Sequence, residues 1–436
     1  MAKPKLALIP AAQGTKLYSV LPSDGGGDFT FTRGSVGTRI NAQGLIENVA
    51  SGQSRLDYPL IDGVQKGCPH HILEPARTNV VQYSKDFTQL SSQSNVTISL
   101  NQIISPEGSL NASSFIDNSA SGVHRAFTVY SSSIASGQLV SHSIFAKAKE
   151  HKWFQLSTGG NTNDQWANFD LENGIIGNSS SSANPIIENY GNGWYRCILF
   201  ATTSANNASL AGLVTLTNNL DATSRSPSYS GSNKGVYVFG LQIEQGSYAT
   251  SYIPTNGESG GVTRSAETAN GAGNSTTFND SEGVLMVEIS GFVDTDNYRM
   301  ISINAGDSAN TLFIGLRNDT GNAYFYLIRG QVIQANYISD VNATNKNLKL
   351  AVKYKENDVS FYVNGIKLYE DTSATMISGL NQLEFNYGDA SGSYPFHGKT
   401  KQIQYFDSAL ADTQLEQLTS WQSFRDMANG QLYTIE

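Results

Sequence analysis

The sequence predicts an all-β protein: an N-terminal attachment segment of short strands, followed by two β-sandwich domains of jelly-roll kind. Three observations carry that reading. Charged residues make up only 15% of the 436 residues, while 41 glycines and abundant Ser, Asn and Thr supply turns. Aromatics are frequent, with 21 Tyr and 19 Phe, and such side chains suit a half-buried pleated surface. Apolar residues recur with a period of two in short runs bounded by Gly, Asn or Ser, and helical periodicity is nearly absent. The length suffices for two or three domains, each with its own core.

Residues 1–85 form the first unit. "DFTFTRGSVGTRINAQGLIENV" sets Phe29 and Phe31 among threonines, turns at Gly34 and Gly37, and adds Ile40, Leu45, Ile46 and Val49. The alternation is too brief for an independent core. The segment is therefore expected to pack on its own body domains or on a neighbouring subunit, the second of which would make it an oligomerisation element.

Residues 86–255 have a clear strand rhythm, from "SNVTISLN" to "KGVYVFGLQIEQG", at the spacing of a two-sheet jelly roll. In "GWYRCILF", Trp194, Arg196 and Ile198 share one side while Tyr195, Cys197 and Leu199 share the other. Apolar groups on both faces predict a central buried strand. "VYVFGLQIE" is expected to close the domain, and Pro254 stops the strand register because it has no ladder donor. Residues 256–275, "NGESGGVTRSAETANGAGNS" in the main, hold no apolar cluster to offset the entropy of ordering them and read as a linker.

Residues 276–436 begin a second all-β rhythm. Leu348, Leu350, Val352 and Tyr354 alternate with polar or small residues, as do Val359, Phe361 and Val363. Asn364-Gly365 then offers the positive φ angles of a type I′ hairpin turn. A short helix is predicted in "SALADTQLEQLTSWQ", with Asp412 in its first turn, favoured by the helix dipole, and Leu415 and Leu418 on one face. The final "MANGQLYTIE" reads as a packed tail or frayed end.

Several function classes are disfavoured. A net charge of −9 without a basic stripe argues against nucleic-acid binding. The apolar run of "MAKPKLALIPAAQG" is short and broken by Pro10, so no signal peptide is read there, and no stretch reaches the ~20 apolar residues of a membrane span. Cys68 and Cys197 are expected as free thiols, and His70-His71 as a packed loop without a third zinc ligand. "DTDNYR", from Asp294, begins like a calcium loop, but Arg299 stands where an EF-hand needs Gly. A looser calcium site would draw on Asp294, Asp296 and Asp319; no other cofactor is expected.

Glu282, Glu288, Glu384 and Asp389 are available acids, but no compact motif sets two of them on one strand for glycoside hydrolysis. A nucleophile elbow, with its serine on a strand-to-helix turn, and a phosphate-binding loop are also missing from the sequence. The expectation is a binding protein, not an enzyme. Trp153, Trp166 and Trp194 are flat platforms for sugar rings. Trp194 fits the core better, and Trp166 in "NDQWANFD" is the exposed candidate. The loop "FNYGDASGSYPFH" offers Tyr387, Asp389, Tyr394 and His397. Trp166, Tyr387, Asp389 and Tyr394 are thus the candidate ligand residues, with packing of the tyrosines under their loop or against a neighbour as the alternative.

Two resemblances bear on these residues. "LKLAVKYKENDVSFYVNGIKL" followed by "HGKTKQIQYFDSALADTQLEQL" resembles the laminin G-like, concanavalin A-like sandwich, over residues 276–436. "FTFTRGSVGTRINAQGLIENV", "ILEPARTNVVQYSKDF", "NGWYRC" and "GLQIEQGSYATSYIPT…VTRSAE", in that order, look like structural proteins of tailed-bacteriophage virions. The likeness implies a carbohydrate-binding-module-like jelly roll at 86–255. It implies a head- or tail-attached fibre or decoration subunit located in the virion, bound to other virion proteins through 1–85 and presenting lectin-like domains to host-surface glycans. A closed homo-oligomer, most simply a trimer, would follow. A polysaccharide depolymerase on the particle and a purely cementing protein are the alternatives.

Overall fold

The computed structural model describes residues 3–8, 12–13, 16–292 and 297–430, and they are almost entirely β. The C-terminal sandwich stacks an eight-stranded sheet on a five-stranded one. The larger sheet runs Ile366–Asp371, Val359–Val363, Leu348–Lys355, Glu282–Gly291, Gly398–Phe406, His70–Leu73 and Arg55–Asp57, with Leu6–Leu8 also paired to Gly398–Phe406. The smaller runs Val332–Asn342, Asn322–Arg329, Thr311–Leu316, Arg299–Asn304 and Gln382–Glu384. The hairpin turn falls where it was expected, with Asn364 at φ 49° and Gly365 at φ 87°. The predicted helix spans Asp412–Thr419 and seats Leu415 on Val284, Met286, Ala351 and Tyr362. That contact explains why Leu348–Lys355 is buried on both faces. A second short helix, Phe424–Gly430, was not foreseen. Residues 431–436, which include most of the anticipated tail, lie outside the described residues.

The N-terminal segment is not a separate unit. Leu6–Leu8 and His70–Leu73 pair along one edge of Gly398–Phe406, and Phe29–Thr32 pairs with Thr268–Asn270. Leu6, Leu8, Leu17, Phe29, Phe31 and Leu73 join Leu285, Ile301, Phe325 and Tyr405 in one core. Strands with too few apolar residues to found a core still complete the edge of another. The segment therefore finds its partners within the chain, and the need for a neighbouring subunit to order it disappears. His70 and His71, expected in a loop, lie on a strand of the large sheet.

The expected linker is likewise ordered. Val262–Arg264 pairs with Arg77–Asn79, and Ala269 and Ala272 are fully buried. What offsets the ordering entropy here is backbone ladder and ion pairing, which an apolar count does not register.

The middle domain packs two six-stranded sheets. One runs Ser92–Ser94, Arg125–Ser131, Ser209–Leu216, Trp153–Gly160, Trp166–Asp170 and Ile175–Ser179. The other runs Val96–Ile104, Leu110–Asp117, Gly235–Gln245, Leu139–Ala148, Trp194–Thr202 and Ile186–Gly191. Trp194–Thr202 is buried on both faces as the alternation predicts: Cys197 and Leu199 enter the sandwich core, while Trp194 packs on the other side with Phe145, Tyr252 and Ile46. Gly235–Gln245 closes the domain in chain order but sits mid-sheet. Both cysteines are free thiols, Cys68 exposed and Cys197 buried. Among the described residues no helix is long and apolar enough to cross a membrane.

A buried ionic junction ties the N-terminal segment to residues 264 and 267 and, through Ser251, to the end of the middle domain. Arg33, Arg55, Arg264, Glu74 and Glu267 are each 3% exposed or less. Glu267 accepts from Arg33 Nη1 at 2.7 Å, from Arg55 Nε at 2.7 Å, from Arg55 Nη2 and from the Glu74 amide at 2.9 Å. Glu74 binds Arg55 Nη2 at 2.8 Å and Arg264 Nη1 at 2.9 Å, and accepts from the Ser251 hydroxyl at 2.6 Å. Burial acts to raise both carboxyls, but the guanidinium charges hold them below the usual carboxylate range.

Candidate functional site

The face of the five-stranded sheet turned away from the main core carries polar and aromatic side chains, most of them buried: Met300, Phe313, Tyr324 and Ile328 form a small cluster with Tyr298, Tyr326 and Tyr387 packed against it. On Arg299–Asn304, Ile301 and Ile303 point into the core, so Met300, Ser302 and Asn304 point out. By the same alternation Thr311 and Phe313 point out, as do Tyr324, Tyr326 and Ile328, and Gln382 and Glu384. Ladder register then sets Glu384 opposite Ser302, Ser302 opposite Phe313, and Phe313 opposite Tyr326. One half of the face is therefore acidic and amide-bearing, and the other aromatic.

The loop 386–397 folds over this face. It is pinned by Tyr387 N donating to Ser393 O at 2.9 Å and Phe396 N to Phe385 O at 2.8 Å. Gly388, at φ 88°, crosses Asn304 so closely that a Cβ would sit 2.6 Å from its side-chain nitrogen. Only glycine lets the loop approach there. Tyr387 packs edge-on to Phe313 at 5.5 Å and to Tyr394 at 5.9 Å, and Tyr394 meets Tyr298 at 5.9 Å. Phe313 stacks on Tyr326 at 5.4 Å.

Tyr394 is 43% exposed and has φ 53°. A bulky non-glycine residue in the left-handed region is uncommon and strained, and such strain gathers at functional sites. Nearby, the buried Tyr324 hydroxyl has no hydrogen-bond partner among the described residues, although buried phenols usually find one.

Between the loop and the strand Gln382–Glu384 opens a cleft of about 330 Å³, lined by Asn270, Gln382, Glu384, Asn386, Asp389 and Pro395 among others. Asn270 belongs to the segment expected as a linker and bonds Asn386 Nδ2 through its side-chain oxygen at 3.2 Å. Burial raises the Glu384 carboxyl above the usual range; the Asn304 amide, 3.3 Å away, opposes this, and the Asp389 charge adds to it. Asp389 behaves the other way. Burial acts to raise it, but the Ser393 amide at 2.8 Å and the Ser391 hydroxyl at 3.0 Å hold it low and ionised. A second groove, of about 650 Å³, runs past Arg77, Thr78, Ser132 and Gln245, and among the described residues neither a carboxylate nor an aromatic ring lines it.

Of the four candidate ligand residues, Tyr387, Asp389 and Tyr394 share this site. Trp166 does not: it opens the strand Trp166–Asp170 in the other domain, half-buried. Trp194 is a core residue, donating to Ile104 O at 3.1 Å, and Trp153 bonds Asp170 at 3.3 Å. His397 ends the loop and is buried. Glu288 is buried against Lys401 at 3.0 Å and Glu282 pairs with Lys355 at 3.3 Å, which leaves Glu384 and Asp389 as the acids of the cleft.

For the calcium expectation, Asp294 and Asp296 lie outside the described residues. Asp319 has both oxygens held by Arg317, at 2.8 and 2.6 Å, so a cation already occupies its ligand positions. Among the described residues no group of three acids, histidines or cysteines is placed to hold a metal ion. The face residues Tyr298, Phe313, Tyr324, Tyr326 and Gln382 were not singled out from the sequence. The alternation in "NAYFYLIRG" was the available signal, but it does not say which face meets the core.

No protein-family model and no curated protein matches the chain. Among solved structures, the CBM40 of Ruminococcus gnavus IT-sialidase bound to alpha2,3 sialyllactose aligns at TM-score 0.28 and 17% identity, over 35% of this chain and 94% of that one. Domains LG4-5 of the mouse laminin alpha1 chain align at TM-score 0.23 and 8% identity, over 80% and 96%. Trypanosoma rangeli sialidase in complex with the inhibitor DANA aligns at TM-score 0.28 and 10% identity, over 93% and 78%. These are loose likenesses, and the architecture and the cleft rest on the chain's own strands and side chains.

Proposed function

We propose that this chain is a glycan-binding protein without catalytic activity, and that the cleft of the C-terminal sandwich, with the exposed Tyr394 ring beside it, forms its ligand site. The observation that carries the reading is Tyr394: an exposed ring held in a strained backbone conformation beside a cleft of amides and carboxylates. An exposed tyrosine ring takes the apolar side of a sugar ring while carboxylates and amides bond its hydroxyls; the rings beneath it, Phe313 and Tyr324, are buried and hold it in place. The particle we assign it to is a phage virion, as a head- or tail-attached fibre or decoration subunit binding host-surface glycan. That part of the proposal, with its closed homo-oligomer and its virion partners, rests on the phage-like words between residues 29 and 267. Sedimentation and labelling of intact particles test it; a stable monomer at micromolar concentration counts against the oligomer.

The binding reading is tested with Tyr394→Gly. Glycine relieves the positive φ, so the melting temperature should hold or rise. Binding to host cells should weaken by about 1–3 kcal/mol, in keeping with loss of one aromatic anchor. Unchanged binding at matched folding would leave the aromatic face as structure only.

One observation favours a second reading. Glu384 and Asp389 line the same cleft with their carboxyls shifted in opposite directions, the pattern of an acid and its partner in glycoside hydrolysis. Reducing-sugar release from host capsule, abolished by Glu384→Gln, would establish a depolymerase instead.

A further inference from the structure

The charge of the cleft restricts what it can take. Among the described residues its lining includes Glu384 and Asp389 but neither lysine nor arginine. Lys16 shares the face of Asn270 across two ladder steps, roughly 10 Å away, and its amine turns to Asp28 at 3.7 Å. Arg317, beside the aromatic half, lies over Tyr298 at 5.9 Å and is neutralised by Asp319. An anionic ligand would thus enter a site lined by two acidic groups and, among the described residues, by no cation.

We infer that the cleft selects uncharged or free-amino sugars and rejects acidic ones such as sialic and uronic acids. This deepens the glycan-binding reading and rests on it. Ionised carboxylates only accept hydrogen bonds. Ligand atoms directed at Asp389, and at Glu384 when ionised, must therefore be donors: hydroxyl O–H or ammonium N–H. A sugar carboxylate offers acceptors alone and adds like charge in a half-enclosed cleft, where screening is weaker than in open water. A hexosamine with a free amine supplies both the donors and the opposite charge. Selectivity here comes from repulsion of the wrong ligand as much as from attraction of the right one.

The test is a glycan array carrying neutral, free-amino and acidic oligosaccharides, probed with the full chain and with a Glu384→Gln/Asp389→Asn variant. Neutral and free-amino members should give the signal, with acidic members weaker by about tenfold or more. The double substitution should narrow that ratio. Dominant signals from sialylated or uronic members overturn the selectivity and leave the glycan-binding reading standing. No signal from any member, with the protein folded, overturns both.

Discussion

Glu267→Gln should destabilise the protein more than any other single neutralisation in the ionic junction. Glu267 meets two arginines and one backbone amide, all out of water. The wild-type cluster holds three guanidinium groups against two carboxylates. After the change three positive charges face Glu74 alone, and the new amide turns a donor toward guanidinium donors. Breaking a buried pair by removing one partner costs about 3–5 kcal/mol, because the remaining charge stays desolvated. The chain has more than one domain, so the readout should not assume a two-state melt. At about 2–4 °C per kcal/mol for a domain of this size, the sandwich transition should fall by roughly 10 °C. Differential scanning calorimetry gives the shift. Arg33→Gln added to Glu267→Gln should restore part of it, since the two residues share a hydrogen bond at 2.7 Å. A fall of less than about 1 kcal/mol, or no recovery in the pair, would refute the reasoning by showing that water or another anion reaches the arginines.

Acid should destabilise the fold through buried neutral histidines. Burial pushes His142 down to about 3 and His71 to about 4, from 6.5. Their contribution is full above 6.5 and is lost as the pH falls toward the folded value, because only the unfolded chain takes up the proton, at about 1.4 kcal/mol per pH unit per histidine. His142→Leu should flatten the denaturation free energy between pH 6.5 and 4.5 by that slope, and an unchanged slope would contradict it. A chain starting at residue 276 should fail to fold cooperatively, because it loses Leu6–Leu8 and His70–Leu73 from its larger sheet and Phe29 and Phe31 from its core; a sharp melt of that fragment would count against the shared core. In the full chain, residues 262–270 should resist limited proteolysis, judged by the sites of the first cuts.

What could be read from the sequence was local. The hairpin at Asn364-Gly365, the helix at Asp412–Thr419 and the two-faced strand at Trp194 depend on neighbours a few residues away, and each was anticipated. Long-range pairing was not legible. Nothing near Leu6 points to Tyr405, its ladder partner, and nothing near Thr268 points to Thr32. The linker reading failed for a related reason: it counted apolar side chains, whereas Glu267 and Arg264 are ordered by charge partners drawn from residues 33, 55 and 74. At the site, the tyrosines of the loop stood out because they sit among glycines. The rings beneath them, Phe313 and Tyr326, did not, because Tyr326 shares its strand with Phe325 on the other face and Phe313 is a lone aromatic in an aliphatic strand.

The words that resemble phage virion proteins have a physical meaning in the fold. "FTFTRGS" supplies Arg33, "ILEPARTN" supplies Glu74, and "VTRSAE" supplies Arg264 and Glu267. "SYATSYIPT" supplies Ser251, which bonds Glu74, and Tyr252, which closes the aromatic cluster under Trp194. Each word thus meets the others at the junction or in the packing beside it, far along the chain from the loop 386–397. A buried network of this kind tolerates little change, since each member leaves another charge unpaired when it is lost. A surface loop tolerates much. Resemblance through these words therefore speaks to the frame that joins the two sandwiches, and it is silent on the ligand. The ligand has to be sought in residues the resemblance does not cover: Tyr394, Asp389 and Glu384, where exposure, strain and charge meet on one face.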